Sequence, residues 1–175
     1  MLTKIGLCNQ ALLKLGESAI ASFGDDVAAA QIAAKLYDAT IDNLLCMHAW
    51  RFAMKKFALH KTKGGYFVRP RSALRVISCD HPAFEVVGNK IFCPAASIEL
   101  IAVARAEVED FPAYFAAAAA TKLALEFCVP LTGNQNVYAI LNALFESEFR
   151  AAKFIDSSFG ANQAILNFPL VTVRR

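Results

Sequence analysis

The chain is short of charge. Charged residues make up 19% of its 175 residues and apolar residues 57%, where a soluble domain usually carries about 25% charged residues. Its mean hydropathy is +0.40. Such a surface is either set in a membrane or covered by partners. A long hydrophobic run is also missing, which argues against the membrane. A spanning helix needs roughly 18 consecutive apolar residues, whereas Phe111–Thr121 ends at Lys122 and Glu126 follows. The uncharged run Phe127–Phe145 contains Pro130, Gly133, Asn134, Gln135 and Asn136, which read as a turn. Lys4 and Lys14 flank an apolar stripe in place of an unbroken h-region, so no signal peptide is expected. The surplus apolar surface therefore points to protein partners, self-association first, and to no membrane.

Paired cysteines are missing too. Cys8, Cys46, Cys79, Cys93 and Cys128 are odd in number and scattered, which suits reduced thiols in a cytosolic setting, used as small core residues. No HExxH, GxSxG, Walker loop or GxGxxG occurs. His48, His60 and His81 lack the spacing of a metal site, so no metal, cofactor or catalytic residue is expected and the chain reads as a non-enzyme. Cys46 and His48, two apart, would face different ways on a helix. Cys79-Asp80-His81 comes nearest to a thiol nucleophile, but neighbours on a strand point to opposite faces. Glu107, Glu109 and Asp110, like Glu146 and Glu148, read as helix-end charges and a solvated face. A small cytosolic enzyme using Cys79 and His81, or a carboxylate pair, is the first alternative reading.

Acidic residues vanish between Asp42 and Asp80. Net charge is only +3, yet eight of the 18 basic residues stand in that window: Arg51, Lys55, Lys56, Lys61, Lys63, Arg69, Arg71 and Arg75. Phe52, Phe57, Tyr66 and Phe67 are interleaved with them, a pattern that can grip single-stranded nucleic acid. An electrostatic patch for an acidic protein and a solvated face fit the same residues. A helical nucleic-acid-binding module is the second alternative.

Periodicity supplies the architecture. Thr3–Leu15 reads as an amphipathic helix with Thr3 as N-cap and Gly16 as C-cap. A second helix starts near Asp25 or Asp26 and carries Ile32, Leu36, Ile41, Leu44 and Leu45 in phase up to about Trp50. Nothing breaks a helix from there to Leu59. Short β-type runs follow, with a hairpin at Val87–Ile91. Pro112 opens an alanine-rich helix that Pro130 and Gly133 end. Asn136–Asp156 forms the last helix, with Ile140, Leu144, Phe145, Phe149 and Ala152 on one face. After Ser157 no charge appears until Arg174. The expected fold is mainly α (α+β): a four-helix-type body at 1–157, an antiparallel sheet inserted at about 66–104, and an extended C-terminal arm at 158–175. Ile165, Leu166, Phe168, Leu170, Val171, Val173, Arg174 and Arg175 are the arm's candidate docking residues.

The order of these pieces resembles the head–tail adaptor family of tailed phages, whose members include tail tubular proteins and versions in prophages and gene transfer agents. The opening helix ends in Leu15-Gly16, and an Ile-x-Ser-x-x-Asp loop follows as Ile20, Ser22 and Asp25. The next helix supplies Ala30, Tyr37, Leu44, Leu45, His48, Trp50, Phe52 and Ala53 in family order. Arg69-Pro70 with Leu74-Arg75-Val76-Ile77 resembles the proline-led strand, Glu85-Val86-Val87-Gly88 the glycine hairpin, and Leu123-Ala124 before Pro130-Leu131-Thr132-Gly133 the closing helices. Ala49 stands where proline is common and Ile41 where arginine is common. The resemblance covers about residues 3–156. It implies a ring, usually of twelve copies, beneath a portal protein, extending the DNA channel and presenting a platform for a downstream tail or stopper protein. DNA would pass without sequence-specific contact, inside a virion or phage-like particle assembled in the host cytoplasm. The basic stretch would then face portal or DNA, and the arm would order on a neighbour or on the portal, unless it packs as a strand on its own domain. Leu44, Leu45, Trp50 and Phe52 are expected as core on one helix.

Overall fold

The computed structural model describes residues 1–158. Helix α1 (Lys4–Leu15) has the ends its sequence asks for. Thr3 Oγ1 accepts the Gly6 N–H at 3.0 Å, and Gly16 closes the helix at φ 77°, a left-handed cap. Helix α2 (Ala28–Met47) starts later than expected, with Val27 at the N-cap and no side-chain cap bond. Asp25 is occupied elsewhere: its Oδ2 accepts the N–H groups of Ala21 and Ser22 at 2.8 and 3.1 Å and so closes the preceding loop.

The second departure is where α2 ends. His48 is already extended (φ −143°, ψ 158°), and a 3-10 turn at Arg51–Ala53 leads into a strand, β1 (Met54–His60). Trp50 and Phe52 are therefore not on α2, and the sheet region begins at Met54, not at residue 66. No local breaker marks the change. Tertiary pairing decides it, because every residue of β1 is in register with β6 (Ser97–Ala104), from Met54 opposite Val103 to His60 opposite Ser97.

Among the described residues, six strands form two antiparallel three-stranded sheets. The larger has the order β1-β6-β3, with β3 (Ala73–Cys79) shifting register twice against β6. The smaller has the order β2-β5-β4, from β2 (Phe67–Val68), β4 (Glu85–Val87) and β5 (Lys90–Phe92). The expected hairpin joins β4 to β5, with Gly88 at φ 61°. Phe67, Ile91, Ile98 and Leu100 are buried together in a second core, with Phe57, Leu59, Val76 and Cys79 packed against it.

Helix α3 (Ala113–Thr132) is long and apolar enough to cross a membrane, but it is the central helix of the body, in contact with α1, α2 and α4. Phe115, Leu123 and Phe127 are fully buried and alanines fill the close approaches. Pro130 does not end α3; it lies in the last turn, and Gly133 ends the helix at φ 61°. Helix α4 (Gln135–Ser158) begins where Asn134 Oδ1 accepts the N–H groups of Asn136 and Val137. It buries Leu141, Phe145, Phe149, Ala152 and Asp156. Ile140 and Leu144 are not on that face but 69% and 39% exposed. Each is one residue, about 100° of helix, away from the buried position beside it.

Trp50 anchors the main core from the loop after α2. It is fully buried, and its Nε1 donates to the Leu44 carbonyl at 3.1 Å. Its ring meets His48, Phe115 and Phe149 edge-on, with centroids 4.8, 5.0 and 5.9 Å away. All five cysteines are free, and Cys8, Cys93 and Cys128 are buried. Burial pushes the Cys8 thiol up to about 12, which removes its thiolate at neutral pH.

Candidate docking surfaces

The basic stretch does not form one face. Arg51 sits on the 3-10 turn, Lys55 and Lys56 on β1, Lys61 and Lys63 in the loop to β2, Arg69 and Arg71 before β3, and Arg75 on β3. Strands β1 and β3 lie on opposite sides of β6, so their side chains are about 10 Å apart across the sheet. Several of these cations are also engaged. Lys56 pairs with Glu99 at 2.7 Å, and Lys61 Nζ donates to the Pro94 carbonyl at 3.2 Å. Arg75 Nη1 donates to the Cys46 carbonyl at 2.7 Å, in the last turn of α2 where a cation offsets the helix dipole. Arg69 Nη1 lies 3.4 Å from the Leu74 carbonyl. Arg51, Lys55, Lys63 and Arg71 keep exposed side chains. Of the interleaved aromatics, Phe67 is fully buried, and Phe52 and Phe57 pack against the two cores. Tyr66 pairs with Phe92 at 6.2 Å between centroids, with Lys90 Nζ 4.6 Å over its ring. A base-stacking platform would need several of these rings turned outward.

Among the described residues, apolar surface is uncovered at three places besides single side chains such as Leu13. On the small sheet, the pairings set Val68, Lys90, Val87 and Phe92 on one face, and Val68, Val87 and Phe92 are 46%, 53% and 42% exposed. An open hollow of about 560 Å³ adjoins it, lined by Gly65, Phe84, Glu85, Phe92, Cys93 and Pro94 among others. At the α3–α4 turn, Val129 and Tyr138 edge a hollow of about 200 Å³. The third place is the outer side of α4, where Phe154 is 76% exposed. The expected stripe at Ile140 and Leu144 was thus a second apolar face on the same helix.

The residues weighed for chemistry are held by other contacts. Cys79 Sγ approaches Asp80 Oδ1 at 3.4 Å, and burial first, with Asp80 adding, raises its thiol; only the backbone at His81 pulls it down. His81 Nδ1 accepts the Ala83 N–H at 3.1 Å. Glu107 lines a cleft of about 150 Å³ with the ion pairs Lys4–Asp38 and Arg105–Asp42, while Glu109 and Asp110 are exposed before α3. Glu148 is not on a solvated face. It takes the Thr121 hydroxyl and lies 3.5 Å from Lys14 Nζ, which also donates to Thr121 at 2.8 Å, so α1, α3 and α4 are tied at one point. Among the described residues, no group of three His, Cys, Asp or Glu is placed to hold a metal ion.

Sequence reasoning missed Asp156. It is 1% exposed, and its carboxylate accepts the Arg51 N–H at 3.2 Å on both oxygens and the Tyr114 O–H at 2.9 Å. His48 Nε2 lies 3.5 Å away. Burial, then the Asp156 hydrogen bond and its charge, push the Tyr114 phenol up to about 12, which keeps it a donor. The signal was present: Asp156 continues the buried spacing Leu141, Phe145, Phe149, Ala152, and a carboxylate on such a stripe must be hydrogen-bonded. The cluster clamps the last turn of α4 to the turn that opens β1.

The candidate docking residues of the expected arm, Ile165, Leu166, Phe168, Leu170, Val171, Val173, Arg174 and Arg175, lie outside the described residues. Against protein-family models and against curated proteins the chain has no match.

Proposed function

We propose that the chain is a head–tail adaptor subunit, which forms a ring beneath a portal protein, prolongs the DNA channel and carries the tail or stopper protein. The observation that carries the reading is uncovered apolar surface on a charge-poor chain. The outward sheet face at Val68, Val87 and Phe92, and the turn at Val129 and Tyr138, have no cover among the described residues. Copies arranged in a ring cover such surface without leaving free ends. The ordered resemblance over residues 3–156 supplies the rest, and in it Trp50 has a core role. The exposed cations Arg51, Lys55, Lys63 and Arg71 are available to an acidic portal surface or to DNA phosphates.

The enzyme reading has a raised, not lowered, thiol at Cys79, and the nucleic-acid reading has three of its four aromatics, Phe52, Phe57 and Phe67, turned into the two cores. Neither gains an observation in its favour. Removing the gene from the cell that makes the particle should yield heads without tails, counted by electron microscopy. Tailed particles at the ordinary yield would overturn the proposal.

A further inference from the structure

The outer side of α4 has an order of its own. Exposed positions recur at Ile140, Leu144, Ser147, Ala151 and Phe154, a spacing of four, three, four and three that is the seam spacing of paired helices. The opposite side of the same helix is buried on the core, so this is a second seam, with nothing among the described residues seated on it. Bulky residues stand at Ile140, Leu144 and Phe154, and small ones at Ser147 and Ala151.

We infer that this face binds the same face of a second copy, antiparallel, about a two-fold axis at Ser147. Ile140 then lies opposite Phe154 of the second copy and Leu144 opposite its Ala151. Ser147 meets its own counterpart, where a small side chain lets the helix axes approach to about 8 Å. Charge agrees with the register. Glu146 and Arg150 stand on one flank of α4, both exposed, and a two-fold brings the same flanks together. Each Glu146 therefore comes beside the second copy's Arg150, twice per pair. Parallel pairing would set Phe154 against Phe154. The seam from Ile140 to Phe154 is about 22 Å long, and it covers the most exposed large apolar side chain on the four helices. Pairing of this kind closes at two copies. It concerns the free chain and does not rest on the adaptor reading, since a ring closes through other surfaces.

The test uses the full chain with Ser147→Cys under mild oxidation. A two-fold at this position brings the two Cα atoms within disulfide range, so most of the protein should run as a linked pair at twice 19.0 kDa, while the native chain stays unlinked. Asn142→Cys, as exposed but off the seam, should not link. Adding Leu144→Glu to the Ser147→Cys chain should abolish the link with the circular dichroism unchanged, because Leu144 is not core. An unlinked Ser147→Cys chain overturns the inference in either form. If monomeric, the seam belongs to residues 159–175 or to another protein; if larger, other surfaces join the copies. Equal linking at both positions also overturns it.

Discussion

Trp50→Ala lowers the unfolding free energy by about 3–5 kcal/mol, the range for removing a large aromatic side chain from a core that cannot collapse. The collapse is blocked by what surrounds the ring. Phe115 and Phe149 come from α3 and α4, His48 and Phe52 from the same connector, and each is held by its own element. The Leu44 carbonyl near the end of α2 also loses its indole donor. Trp50→Phe should recover much of the loss, since it fills most of the space and gives up only that hydrogen bond. Urea unfolding followed by circular dichroism measures both. A loss below about 1 kcal/mol for the alanine variant would mean that Trp50 does not fasten the connector to the helices.

Asp156→Ala costs about 3 kcal/mol, for a different reason. The side chain is small and little volume is lost, but the part-buried Arg51 N–H and Tyr114 O–H lose their acceptor. Each stranded group costs roughly 1–3 kcal/mol. Asp156→Asn keeps the shape and one acceptor oxygen, so it should cost less. Arg51→Ala should change stability by less than about 0.5 kcal/mol, because the bond to Asp156 uses the backbone N–H and not the guanidinium. Equal losses at Asp156 and Arg51 would show that an ion pair, not the backbone clamp, holds the end of α4. Hydrogen exchange at Ala152–Ser158 reports the same event locally: the alanine variant should open that turn first.

What was legible in the sequence was what is decided locally. The caps of α1 are side-chain and glycine chemistry within three residues of the helix ends, and the β4–β5 hairpin is set by Gly88 at its turn. Strand β1 was not legible, because AWRFAMKKFALH contains no helix breaker and its extended form comes from pairing with a strand far along the chain. The charge run misled for the same reason. Neighbours in sequence such as Lys55 and Arg75 are separated in space by β6. On α4 the signal was present but double. Two apolar faces one residue out of phase were read as one, and the carboxylate that marks the buried face, Asp156, was passed over.

The central claim is that copies of this chain close on a portal. The direct measurement is the mass of cognate portal rings before and after the chain is added, by single-particle mass photometry at physiological salt. The account predicts one discrete step of added mass, an integer multiple of 19.0 kDa near twelve copies and constant as free chain is increased. Portal rings whose mass does not change, with the chain left free beside them, would contradict it.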